Sequence, residues 1–265
     1  MKMDYETLNL DLSEDDGVLV VTLNRPRAAN AMNTQMGRDM KDLWSGFYVD
    51  QTGINCIVLT GAGDKAFCAG GDLKERNGMT DAQWQQQHAL FEQALWAMME
   101  CPIPIIAAVN GAAYGGGCEF AVAVDFAYAA RSARFALTEV TLGILPGAMG
   151  TQNLPRAAGV RRAKEIILTG LPFDAEQALE WGVINKLCDD ATLMEETLVT
   201  ARRIAGNAPL AVRQAKKSIT MATQLDLKAG YAFELEAYNR LVPTEDRLEG
   251  VLAYNEKRKP NFKGR

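Results

Sequence analysis

The stretch Ala113-Tyr114-Gly115-Gly116-Gly117-Cys118-Glu119-Phe120 limits the folds open to this chain more than any other. A glycine inside a helix or strand costs roughly 0.5–1 kcal/mol relative to alanine, so three in a row need a structural reason. An apolar run from Pro104 to Val109 enters the stretch, and an apolar pattern from Phe120 to Val124 leaves it. A buried strand, a glycine turn and then a helix is the simplest reading. Such a turn opens the bare N–H groups of a helix start to close approach by an acceptor such as an acyl carbonyl. Glu119 then falls in the first helical turn, aimed at whatever those groups hold. The alternative reading is that the glycines only let two elements pack closely.

A second stretch echoes the first. The short apolar strand Cys56-Ile-Val-Leu-Thr60 is followed by Lys65-Ala-Phe-Cys-Ala-Gly-Gly-Asp-Leu-Lys74, a glycine pair with an acidic residue just beyond it. Neither stretch has phosphate-loop spacing or the dinucleotide-binding glycine fingerprint. As a pair they suit an acyl oxygen that gains negative charge, which needs two converging donors each about 3 Å away. The N–H groups of Gly71 and Gly116 would supply them from rigid strand-to-helix junctions. Glu119 and Glu139 are the carboxyls to weigh beside them, Glu139 standing alone among the apolar residues from Phe135 to Pro146. Burial raises a carboxyl pKa, and two carboxyls sharing a site titrate as a pair in which one holds the proton. That suits an acid and a base working on opposite ends of a double bond. The competing reading leaves both glutamates solvated or salt-bridged.

Elsewhere the chain alternates short strands and helices. Leu8–Leu12 and Val18–Leu23 read as a hairpin. Asn33 or Thr34 caps a helix with Met36, Met40, Leu43 and Phe47 at helical spacing. The polar segment from Arg76 to Gln87 reads as a loop and helix start, with a helix over residues 89–99. From Ala191 to Tyr254 nearly everything reads as helical, broken at Asn207–Pro209 and Val242–Thr244. The change from α/β to all-helical divides the chain into a core of residues 1–200 and a helical region of residues 201–265.

Composition narrows the function classes. The 265 residues are 48% hydrophobic and 23% charged with a net charge of −5, and no basic stripe of the nucleic-acid type is present. Five separated cysteines with no CxxC pair suggest neither a disulfide framework nor a zinc site, and hence a reducing compartment. No apolar signal core opens the chain and no apolar span reaches membrane length, so a soluble cytoplasmic protein with no membrane partner is expected. No ligand cluster suggests a metal. The single histidine, His88, has no GxSxG elbow to complete a triad and reads as surface or pocket wall. Cys68 and Cys118 read as small buried hydrophobes.

Together, Leu23-Asn-Arg-Pro26, Ala66-Phe-Cys-Ala-Gly-Gly-Asp-Leu73, Ala107-Ala-Val-Asn-Gly111, Gly115-Gly-Gly-Cys-Glu119 and Leu142-Gly-Ile-Leu-Pro-Gly147 carry a resemblance. Thr169-Gly170, the segment from Ala175 to Ile184 and Lys257-Arg-Lys-Pro260 extend it. Over nearly its whole length the chain resembles the enoyl-CoA hydratase/isomerase (crotonase) superfamily. The resemblance implies an α/β fold, a spiral of repeated β-β-α units with a C-terminal helical region that mediates trimers, commonly paired into hexamers. It implies an acyl-CoA substrate whose thioester oxygen sits between the N–H groups of Gly71 and Gly116, and no cofactor beyond the coenzyme A that the substrate carries. It assigns CoA contacts to Arg27, Ala29, Ala69, Asp72, Leu73 and Lys74, although the first segment here reads Arg-Ala-Ala-Asn rather than the more usual Lys-Ala-Leu-Asn.

Superfamily members that add water to a 2-enoyl-CoA resemble this chain in having both glutamates. The implied function is therefore enoyl-CoA hydratase, with Glu119 activating water and Glu139 protonating Cα. Sibling reactions stand as alternatives: double-bond isomerisation, dehydration of a 3-hydroxyacyl-CoA, or hydration of a branched or carboxylated enoyl-CoA. A non-catalytic acyl-CoA-binding protein is the alternative from a different class.

Overall fold

Period-two alternation builds the expected hairpin at the start of the chain. In the computed structural model, which describes residues 2–265, β1 (Leu8–Ser13) pairs antiparallel with β2 (Val18–Leu23). The helix α1 (Thr34–Val49) follows, capped by the Asn33 side chain, which accepts from the Met36 N–H. Met36, Met40, Leu43, Trp44 and Phe47 form its buried face, the 3–4 residue spacing of an amphipathic helix.

A repeat then sets in. The strand β3 (Cys56–Gly61) leads to β4 (Ala66–Cys68) and the helices α2 (Leu73–Arg76) and α3 (Asp81–Met99). Next, β5 (Ile105–Val109) leads to β6 (Ala112–Tyr114) and α4 (Gly116–Ala123). In the third repeat, β7 (Phe126–Ala130) and β8 (Arg134–Ala136) precede a 3-10 turn at Glu139–Leu142 and the helices α5 (Gly150–Ala158) and α6 (Val160–Thr169). The chain continues through β9 (Phe173–Asp174), α7 (Ala175–Glu180) and β10 (Lys186–Cys188). It ends in α8 (Leu193–Ala205), α9 (Pro209–Ala222), α10 (Leu227–Leu241) and α11 (Glu245–Glu256). This is the expected β-β-α spiral with a helical C-terminal region.

Each repeat gives its first strand to a six-stranded sheet, order β1-β2-β3-β5-β7-β10, and its second to a four-stranded sheet, order β4-β6-β8-β9. All residues of β3 and β5 are buried, which fits parallel strands covered on both faces and explains their unbroken apolar runs. On one face Leu193, Ala201 and Ala205 of α8 pack against Val18, Cys56, Val58 and Ile106. On the other, Trp44 and Phe47 of α1 join Phe91 and Leu95 of α3. All five cysteines are buried and free. Among the described residues no helix is long and apolar enough to cross a membrane.

Three boundaries differ from the sequence expectation. The helix α3 begins at Asp81 rather than near residue 89, because Thr80 and Gln83 form a reciprocal capping box. The helical C-terminus has a further break between α9 and α10, where Asp226 caps the new helix by accepting from the Lys228 and Ala229 N–H groups. The apolar run before the glycines ends in the large sheet as β5, and the separate short strand β6 enters the glycine turn.

Candidate active site

Three parallel strands of the small sheet finish at the same edge. β4 runs parallel to β6, with Cys68 opposite Ala113, and β6 parallel to β8, with Tyr114 opposite Ala136. Just past these ends come Gly70-Gly71, then Gly115-Gly116-Gly117 with Glu119, and then Glu139. Residues far apart in sequence therefore meet because successive repeats lay equivalent strand ends side by side. The space beyond the carboxyl ends of parallel strands is where α/β sheets place ligands.

The two glycine turns also touch one another. A β-carbon on Gly117 would lie 1.9 Å from the Cys68 carbonyl oxygen, so only glycine fits there. Gly115 has φ +51°, and a β-carbon on it would come 3.0 Å from Glu139 Oε1. The close-packing reading of the run thus holds for Gly117, while its neighbours face the site. Gly116 is the first residue of α4, so its N–H has no partner within the helix. Gly71 forms a parallel bridge with Met32 whose hydrogen bonds use the Gly70 carbonyl and the Asp72 N–H, leaving the Gly71 N–H out of the ladder.

A cleft of about 410 Å³ opens at this edge, and Gly71, Gly116, Glu119 and Glu139 all line it. Glu119 is 2% exposed, and its Oε1 accepts from the Ala148 and Gly150 N–H groups, each at 2.8 Å. Burial pushes its carboxyl up to about 7; the Gly150 N–H opposes that shift and the neighbouring charge of Glu139 adds to it. Glu139 is also buried, and burial raises its pKa. Its Oε2 has no hydrogen-bond partner among the described residues. The reading of both glutamates as solvated or salt-bridged is therefore wrong. Two carboxyls of raised pKa in one cleft can give and take a proton near neutral pH.

Of the residues assigned to CoA contact, Ala69 and Leu73 line the cleft. Ala69 donates its N–H to the Ala29 carbonyl at 3.1 Å, which joins the Arg27–Ala29 segment to the Gly70-Gly71 turn. Arg27 and Lys74 are exposed beside this strip, outside the cleft lining. The Asp72 side chain is occupied structurally: Oδ1 accepts from the Lys74 and Glu75 N–H groups, and Oδ2 pairs with Arg25 at 2.9 Å. Arg25 was not legible as part of the site. Its other contact, to the Ala31 carbonyl, ties the loop before α1 to Asp72.

The far wall comes from α3, which starts at Asp81, ahead of the helix expected over residues 89–99. Trp84, His88 and Phe91 line the cleft from one face of that helix, joined by Arg76 from the end of α2. His88 is pocket wall, as one reading of it held; its Nε2 lies 3.0 Å from Glu92 Oε1. Cys68 and Cys118 are wholly buried and burial raises both thiols, so they serve as small packing residues.

Known proteins resemble the chain in sequence and fold. The family model for enoyl-CoA hydratase/isomerase matches residues 13–265. The chain is 39% identical to the short-chain-enoyl-CoA hydratase of Clostridium acetobutylicum over 98% of this chain and 100% of that one. It is 36% identical to the crotonyl-CoA hydratase of Syntrophomonas wolfei, covering 98% of this chain and 99% of that one. The crystal structure of an enoyl-CoA hydratase from Bacillus anthracis superposes with a TM-score of 0.95 at 41% identity, covering 98% of this chain and 100% of that one. On the motifs, the fold and these matches, the chain belongs to the enoyl-CoA hydratase/isomerase family.

Proposed function

We propose that the protein adds water across the 2,3 double bond of a 2-enoyl-CoA thioester. The observation that carries this reading is the meeting of Glu119 and Glu139 in one cleft with the N–H groups of Gly71 and Gly116. The thioester oxygen accepts from both glycines. Glu119 takes a proton from water as the water oxygen bonds to Cβ, and the π electrons move onto the thioester as an enolate held by the two N–H groups. Glu139 delivers its proton to Cα as the enolate collapses, and the pair is reset by exchange with solvent. Hydration leaves the net oxidation state unchanged, so the reaction needs no redox cofactor.

Hydrogen bonding supports this division of roles. Two backbone donors on Glu119 Oε1 favour its ionised form, as a base requires. The partnerless Oε2 of Glu139 suits a carboxyl that keeps its proton until the enolate needs it. Loss of crotonyl-CoA absorbance, with the products identified by mass, tests the proposal. Glu119→Gln and Glu139→Gln are each expected to lower kcat by about 10²–10⁴, the usual contribution of a positioned acid or base. Near-wild-type turnover in both variants would sink the assignment, and a shifted double bond without added water would point to isomerisation.

A further inference from the structure

Among the described residues that line the cleft is one permanent cation that the hydration chemistry leaves unused. Arg76 is half-buried in its wall, with its guanidinium 4.3 Å from the Trp84 ring centre and 5.5 Å from that of Phe91. Its Nε donates to Gln87 Oε1 at 2.8 Å. Gln87 is itself buried and fixed, its Nε2 donating to Thr34 Oγ1 and Glu75 Oε2, each at 2.8 Å. The guanidinium is thus clamped by one side chain and two rings. Yet neither Nη group has a hydrogen-bond partner, and no carboxylate lies within ion-pair distance among the described residues. Desolvation holds the Arg76 pKa below its ordinary value, and the charge of Glu75, which lies beyond ion-pair distance, offsets that only in part.

Its position defines what could pair with it. The Arg76 Cζ lies 3.3 Å from where a side chain on Gly71 would begin, so the guanidinium flanks one proposed donor to the thioester oxygen. The aromatic residues against it come from α3, the wall that also presents His88 to Gly147, next to the Ala148 N–H that holds Glu119. Leu73 and Lys74, assigned to CoA, precede Arg76 on α2, but the guanidinium packs on the Trp84 and Phe91 rings of α3 at the far wall. A group reaching Arg76 from the thioester therefore belongs to the acyl chain. An uncharged acyl chain would leave both Nη groups without a protein or substrate acceptor, whereas a carboxylate would accept from both in a bidentate pair.

We propose that the acyl group carries a second carboxylate, that of a short dicarboxylic acid bound as its CoA monothioester, and that Arg76 receives it. This deepens the acyl-CoA part of the function proposed above and rests on it, but it does not depend on the hydration step.

Equilibrium binding by calorimetry separates the two. Glutaryl-CoA is compared with pentanoyl-CoA, and adipyl-CoA with hexanoyl-CoA, each pair sharing its chain length and its CoA. At least one dicarboxylic ester is expected to bind the wild type about tenfold or more tightly than its uncharged partner. That preference is expected to vanish in Arg76→Met and to survive in part in Arg76→Lys, which keeps the charge without the fork. Equal affinities within both wild-type pairs, or a preference that persists in Arg76→Met, would overturn the proposal. If the Met variant fails to fold, the wild-type pairs still decide whether a carboxylate is preferred, and an undiminished preference in Arg76→Lys would overturn Arg76 as its receiver. A carboxylate preference without turnover of the 2-enoyl ester of the preferred length, glutaconyl-CoA or 2,3-dehydroadipyl-CoA, would defeat the hydratase reading and leave this one standing.

Discussion

Glu119 combines burial with two backbone donors on one oxygen, and those effects oppose each other. Burial dominates and lifts its pKa to about 7 from the ordinary 4.5. As the base it must be ionised, so kcat/KM is expected to fall about tenfold per pH unit below pH 7, and to fall again at higher pH where Glu139 gives up the proton it must deliver. A flat profile between pH 5 and pH 8 would contradict this. The same shift acts on stability with the opposite sign. Below pH 4.5 the carboxyl is protonated in both folded and unfolded chains and makes no difference. Between 4.5 and 7 the folded chain holds the extra proton, so stability falls as pH rises, by about 3 kcal/mol in total. In Glu119→Gln the amide oxygen can keep both backbone donors while the charge is gone. That variant, nearly inactive, is therefore expected to gain stability over the wild type at pH 8 and to lose most of the gain at pH 4.5. Urea denaturation at fixed protein concentration reads both. The glutamates were legible because they stand alone beside glycine and apolar residues. The N–H groups of Ala148 and Gly150 were not, since backbone donors leave no mark in residue type.

At the scale of elements, the run Gly115–Gly117 divides its labour residue by residue. Gly117 lets α4 press on the end of β4, where a β-carbon would meet backbone at 1.9 Å. The nearest neighbour of a β-carbon on Gly116 is the Met32 Cε at 3.6 Å, an ordinary contact with a flexible side chain. Gly117→Ala is thus expected to cost about 3 kcal/mol or more, because the obstacle cannot move aside. Gly116→Ala should leave stability within about 0.5 kcal/mol. Its added methyl enters the cleft 4.0 Å from Glu119 Oε2, so the loss appears in kcat/KM instead. Comparing denaturation midpoints with turnover for the two variants separates packing from function; equal stability losses would refute the division. Strand-turn-helix logic was readable because β3, β5 and the glycines follow local rules. The early start of α3 was obscured by its run of glutamines, whose polarity imitates a loop. Its capping box at Thr80 and Gln83 was present in the sequence and outweighs that signal. What composition could not reveal is that Gln87 faces inward to hold Arg76. That depends on which side of α3 meets α1, a tertiary fact.

Across the whole molecule, the site exists because the β-β-α repeat returns the chain to one sheet edge, and no local pattern encodes that return. The family resemblance supplied it to the sequence reading. The same spiral leaves the C-terminal helices short of a core. α9 has no buried residue, and α10 buries only Ala237. α9 is tied to the body by polar contacts, Arg213 to Gln51 at 3.0 Å and Lys216 to Asp125 at 2.8 Å, and α10 packs on α9. Meanwhile Ile219, Leu227, Tyr231, Tyr238, Val251 and Tyr254 stand exposed, from 55% for Val251 to 90% for Leu227. Helices with this much apolar surface in water are stable only when something covers it, and a symmetric set of copies is the simplest cover. The trimer or pair of trimers that the family resemblance implies would be such a set, and light scattering is then expected to give three or six times the 28.9 kDa of one chain. Leu227→Glu combined with Tyr238→Glu should shift the mass downward and lower the denaturation midpoint, because charge placed on a covered face must be desolvated. A wild type that stays at 28.9 kDa at every concentration would mean that these helices are stable with their apolar side chains in water.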